Sequence, residues 1–156
     1  LNAFLYKTAS SDPVPGGGSI SALAAASAAA LVEMVANLTS GGKRFEATKT
    51  EMKEISVKAA AFREKLSGCI DRDSEAYNQL ISSFKMPKNN EAEAKKRTMA
   101  IQTALKRAAE VPLEVASETL KVMSLAEIML KKSNPNAVTD GLEAVMMART
   151  AMLGAL

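Results

Sequence analysis

A chain of 156 residues fits one domain and can bury roughly two-thirds of the surface that its unfolded form exposes. Apolar residues make up 47 % of it but aromatics only 4 %, so the apolar mass is Ala, Leu, Val, Ile and nine Met, which suits close helix packing rather than strands. With no histidine, one cysteine and 20 Lys and Arg against 17 Asp and Glu, the composition excludes a His-based triad and an intrachain disulfide, and it argues against nucleic acid, whose readers carry a clustered basic face.

Asn2 to Ala9 reads as a short helix anchored by Phe4 and Leu5. Pro13, Pro15 and the glycines 16 to 18 then force an irregular loop. Ser19 is expected to cap the next helix, which runs to about Ser40 and stops at Gly41-Gly42. Between Ile20 and Leu38 its only charge is Glu33. The run is rich in Ala and Ser, whereas lipid insertion favours Leu, Ile and Phe, so it reads as a buried core helix rather than a membrane span or a signal.

A long amphipathic segment follows from Phe45 to Phe84, with Gly68 as its weak point, and Met86-Pro87-Lys88-Asn89-Asn90 breaks it. Glu91 to Lys132 is helical in pattern, and Pro112 is expected to kink or divide it. Asn134-Pro135-Asn136 is a turn before a last helix that starts near Thr139, with Thr139 or Asp140 as its cap. No segment alternates with period two. The fold class is all-α: a bundle of long helices around an Ala-rich buried central helix, with neither internal repeat nor domain linker.

Chemistry has to rest on Asp, Glu, Lys, Tyr or Ser. Leu66, Ile70, Asp73, Tyr77, Leu80 and Phe84 share one helical face, and Asp73 is the only carboxylate among them. A lone acid on a packing face is partly withdrawn from water, a setting that suits proton exchange near neutral pH. An Arg partner from a neighbouring helix is the competing reading. Gly16, Gly17, Gly18 and Ser19 precede a helix, where free N–H groups can hold an anion, and a plain connector is the alternative. Lys43 and Arg44 either complement the end of the apolar helix or hold a polyanionic tail. Asp140 either caps its helix or faces a ligand. The methionines at 123, 129, 146, 147 and 152 read as adaptable core filler.

Four segments carry a resemblance: PVPGGGSISALAAASAAALVEMVANLT (Pro13 to Thr39), DRDSEAYNQLISSFKMPK (Asp71 to Lys88), AAEVPLEVA (Ala108 to Ala116) and NPNAVTDGLEA (Asn134 to Ala144). In order and spacing they resemble the C-terminal domain family of formiminotransferase-cyclodeaminase, which includes free-standing methenyltetrahydrofolate cyclohydrolases. The resemblance implies one helical domain over residues 1–156 that assembles as a homodimer and acts on one-carbon tetrahydrofolates. One such activity closes 5-formiminotetrahydrofolate to 5,10-methenyltetrahydrofolate with loss of ammonia, and another hydrolyses the methenyl compound.

The family's catalytic aspartate lies in a D-x-E-A-[YF] stretch, which matches Asp73 here. Gly16 to Ser19 and Asp140 become candidates for shaping the folate site, and Lys43 and Arg44 for drawing in its glutamate tail. No metal, no cofactor beyond the tetrahydrofolate substrate, no nucleic acid and no membrane are expected, and the single cysteine suits a cytoplasmic setting. Family members continue with a further helical segment after the region of Gly154-Ala155-Leu156, so a tail is expected to be missing here. The rival expectation is a non-catalytic helical oligomerisation module of the same fold.

Overall fold

In a computed structural model, residues 1–156 form five helices: α1 (Asn2–Thr8), α2 (Gly17–Ser40), α3 (Lys49–Phe84), α4 (Glu91–Lys132) and α5 (Val138–Gly154). Short 3-10 turns at Lys43–Thr48 and Pro135–Ala137 lead into α3 and α5. Contacts between residues distant in sequence fix the directions. Ser19 meets Asp73, Arg63 meets Glu33 and Ser56 meets Asn37, so α3 runs antiparallel to α2. Lys65 meets Glu118 and Arg97 reaches the Phe84 carbonyl, so α4 returns antiparallel to α3.

The centre is α2. Ala22, Ala25, Ala28, Ala29, Val32, Val35 and Ala36 are fully buried there, and their short side chains let neighbouring helices approach closely. Against them pack Met52, Ile55, Ala59 and Leu66 of α3, Val115, Val122 and Met129 of α4, and Ala144, Ala148 and Ala151 of α5. Each fully buried Leu, Met or Val adds about 1.5–3 kcal/mol over its exposed state. By length and composition α2 is the one helix that could cross a membrane; in the fold it is the covered core helix. By contrast α1 buries nothing: Phe4 is half-exposed and Leu5 exposed, so neither anchors it within this chain.

Several helix ends depart from expectation. Gly16, extended at φ −120° and ψ −157°, precedes α2, so Ser19 is inside the first turn and does not cap it. Neither Thr139 nor Asp140 caps α5; Asn134 instead accepts from the Asn136 N–H to close the preceding turn. A side-chain cap does start α4, where Asn90 accepts from the Glu93 N–H at 2.9 Å. Pro112 lies inside a continuous α4 and does not divide it, and α3 runs through Gly68. Methionine also divides: Met129 is in the core with Met52, whereas Met146 is 57 % exposed.

Candidate functional site

Asp73 and the start of α2 come together because α2 and α3 are antiparallel and packed through small residues. The Ser19 hydroxyl is 2.9 Å from Asp73 Oδ2, 3.0 Å from the Ile70 carbonyl and 3.2 Å from Ser74 Oγ. Ser19 is itself 0 % exposed. Gly18 is in van der Waals contact with the acid: a Cβ built there would lie 2.6 Å from Asp73 Cγ, an impossible overlap. Only a glycine lets the main chain pass so near. The carboxylate therefore sits at the amino end of α2, where unpaired N–H groups and the helix dipole attract negative charge.

A cavity of about 260 Å³ opens over this pair, lined by Pro13, Val14, the glycines 16 to 18, Asp73, Tyr77 and Ala108. Sequence reasoning did not single out Ala108. Its signal was Pro112, four residues on: proline has no N–H, so the carbonyl of Ala108, a residue that lines the cavity, lacks its helical donor. Tyr77, read as part of an apolar stripe, is 37 % exposed at the cavity mouth. The stripe itself runs from the core outward. Leu66 is buried and Phe84 is 46 % exposed, because beyond Leu66 the buried line passes to Cys69, Ala76 and Ser83.

Several cations of α3 and α4 are engaged with acids other than Asp73. Arg72 binds Glu114 at 2.7 Å, Lys65 binds Glu114 at 3.3 Å and Glu118 at 2.9 Å, and Lys121 binds Glu118 at 2.9 Å. The Arg72 hydrogen bond holds the Glu114 carboxyl below the usual carboxylate range, and the same bond raises Arg72. Burial alone would raise Glu118, but hydrogen bonds from Lys121 and Lys65 outweigh it and keep that acid low. Burial pushes the Cys69 thiol up, leaving it a poor nucleophile. This network ties α3 to α4, and Asp73 stands outside it, held by Ser19 rather than by an arginine.

The other expected site residues do not join this group within one chain. Lys43 and Arg44 follow the far end of α2, about 36 Å from Gly16 at 1.5 Å per residue. There they line a separate cavity of about 570 Å³ with Gly42, Phe45 and residues 134 to 136. Asp140, half-buried in the first turn of α5, is at that end too, since the Asn134 N–H bonds Thr39 Oγ1 at 3.1 Å. The chain thus gathers Gly16, Gly17, Gly18, Ser19 and Asp73, and it separates Lys43, Arg44 and Asp140 from them.

Comparison with known proteins gives the lineage. The family described as formiminotransferase-cyclodeaminase matches residues 1–156. A methenyltetrahydrofolate cyclohydrolase of Methylorubrum extorquens is 39 % identical over 148 residues, covering 95 % of this chain and 71 % of that protein. The formimidoyltransferase-cyclodeaminase of Rattus norvegicus is 30 % identical over 155 residues, which is 99 % of this chain but 29 % of that protein. The crystal structure of formiminotetrahydrofolate cyclodeaminase from Thermotoga maritima superposes with a TM-score of 0.86 at 30 % identity, covering 99 % of this chain and 73 % of that one. Match along the whole chain, in sequence and in helix arrangement, means that this chain belongs to the formiminotransferase-cyclodeaminase family.

Proposed function

We propose that the chain is a one-carbon tetrahydrofolate enzyme in which Asp73 moves protons between bound folate and water. Both named activities of its relatives turn on the carbon bridging two folate nitrogens. In cyclodeamination the ten-position nitrogen attacks the formimino carbon and gives up its proton. The departing nitrogen takes that proton and one more and leaves as ammonia. In hydrolysis, water adds to the cationic methenyl carbon, one C–N bond opens and a proton is released. One carboxyl group serves either course, accepting a proton in one step and returning it in another. As an anion it also steadies the positive bridge.

The observation that carries this reading is the Asp73 carboxylate at a cavity wall, seated on the amino end of α2 and bonded to a buried hydroxyl. A 260 Å³ space is below the usual size for a whole cofactor-sized ligand, so it takes the reacting end, with Tyr77 beside the pterin. The Ala108 carbonyl is an acceptor for a ring N–H. Asp73→Asn should lower turnover of methenyl- or formimino-tetrahydrofolate by about 10²–10⁴-fold. Equal rates for the variant and its parent, followed by absorbance and ammonia release, would end the assignment.

Self-association belongs to the same proposal. Leu113 and Leu120 of α4 and Leu142, Met146 and Leu153 of α5 are 50 % exposed or more, in stripes at helical spacing. A homodimer covers such stripes, and it is the arrangement in which Lys43, Arg44 and Asp140 of one copy can approach the Asp73 cavity of another. A helical oligomerisation module without turnover would keep the same stripes, and the Asp73 assay separates the two.

A further inference from the structure

We infer that Ser19 is a positioning residue whose buried hydroxyl reverses its hydrogen-bond direction as Asp73 gains and loses a proton; this rests on the reading of Asp73 given above. Being 0 % exposed, Ser19 lies beneath the carboxylate, out of reach of anything in the cavity. Its expected role as a substrate contact is replaced by one exerted through Asp73.

A serine hydroxyl has one proton to donate and two lone pairs to receive. Three oxygens surround this one: Asp73 Oδ2 at 2.9 Å, the Ile70 carbonyl at 3.0 Å and Ser74 Oγ at 3.2 Å. With Asp73 ionised, Ser19 donates to Oδ2. With Asp73 protonated on Oδ2, the acid donates to Ser19 Oγ, and Ser19 turns its own proton to the Ile70 carbonyl. Ser74 can donate to the remaining lone pair in both settings. Neither state leaves a buried polar atom without a partner, so Asp73 can trade its proton with substrate or water without moving. A fixed donor such as an amide N–H favours the ionised acid alone.

The amino end of α2 attracts the anion at all times; among side chains, the surroundings leave the response to the proton to the hydroxyl. The cavity lining brings no second charge, and Tyr77 is its one other titratable side chain. From α2, Gly17 to Ser19 face the acid without a charged side chain. On α3, Arg72 is paired with Glu114 of α4. Lys106, Arg107 and Glu110 of α4 line a different cavity with Arg72.

The experiment compares Ser19→Ala, Ser19→Cys and Asp73→Asn in full kinetic and pH profiles on methenyltetrahydrofolate, with melting temperatures. Ser19→Ala should lower kcat about tenfold or more while leaving KM within about twofold. The profile limb contributed by Asp73 should move to higher pH, because the charge-assisted bond lost by the ionised acid is about twice as strong as the neutral bond lost by the protonated one. Ser19→Cys, which keeps a weak donor and acceptor, should fall between. A raised KM at unchanged kcat would make Ser19 a substrate contact and overturn the inference. So would wild-type kcat and pH profile in Ser19→Ala, or a loss in both Ser19 variants explained by their lower melting temperatures. An active Asp73→Asn would sink the parent reading instead.

Discussion

A methyl group on Gly18 would overlap the Asp73 carboxylate, and the acid is the only part of that contact able to swing away. Gly18→Ala should therefore displace Asp73 and lower turnover at least about tenfold. Its melting temperature should change little, because the helix propensity gained from Gly to Ala, about 1 kcal/mol, offsets the crowding. Activity lost together with stability would mean that the glycine serves folding instead. Asp73 drew attention in the sequence because a single acid interrupts an otherwise apolar stripe and because the family resemblance selects the same residue. Ser19 was a candidate for shaping the site, but its bond to Asp73 was not legible. Its partner is 54 positions away, and a serine after glycines looks like a cap until Gly16 is seen to precede the helix start.

At the level of elements, α4 combines a broken backbone bond with a charge ladder. Pro112→Ala restores the donor to the Ala108 carbonyl and should raise stability by up to about 3 kcal/mol, measured by urea unfolding. If that carbonyl receives a substrate N–H, the same variant should raise KM, since the acceptor is then shared. An unchanged KM would remove Ala108 from the binding account. The ladder of Arg72, Glu114, Lys65 and Glu118 gives a pH dependence whose sign follows from its acids. Glu114 and Glu118 are held below their ordinary value of 4.5, so their contribution is present above that pH and is lost as pH falls below it. The melting temperature should be level from neutral pH to about 5 and then decline. Glu118→Gln should decline less steeply from a lower start. The sequence left α4 either kinked or divided at Pro112; it is undivided, with Val111 and Val115 on either side of the proline packed in the core.

For the whole molecule, the all-helical bundle and its central helix were readable from Ala-rich composition and from the glycines that bound α2. The distribution of site residues between its ends was not. Residues 16 to 19, 43 to 44 and 140 all look polar and loop-like in sequence, and only antiparallel packing decides which of them meet Asp73. Sedimentation should find a dimer. Glu placed at Leu113 and Leu120, or at Leu142 and Met146, should convert it to monomer in whichever pair lies at the contact. If the two copies share their sites, Lys43→Ala with Arg44→Ala should raise KM for a polyglutamylated folate more than for the monoglutamate. Equal KM values for both substrates would confine those cations to their own cavity.

The alanines of α2 have a consequence for enzyme tuning. Ala25, Ala28 and Ala29 are each 0 % exposed, so water does not enter between α2 and its neighbours there, and protein interiors leave little free space. Like a vernier, their packing fixes the register of α2 against its neighbours, and with it the place of Ser19 beneath Asp73. A bulkier residue at Ala29, about 15 Å from Ser19 along the axis, would shift that setting by a fraction of a turn. If Asp73 moves protons as proposed, its rate can thus drift through substitutions that never come near it.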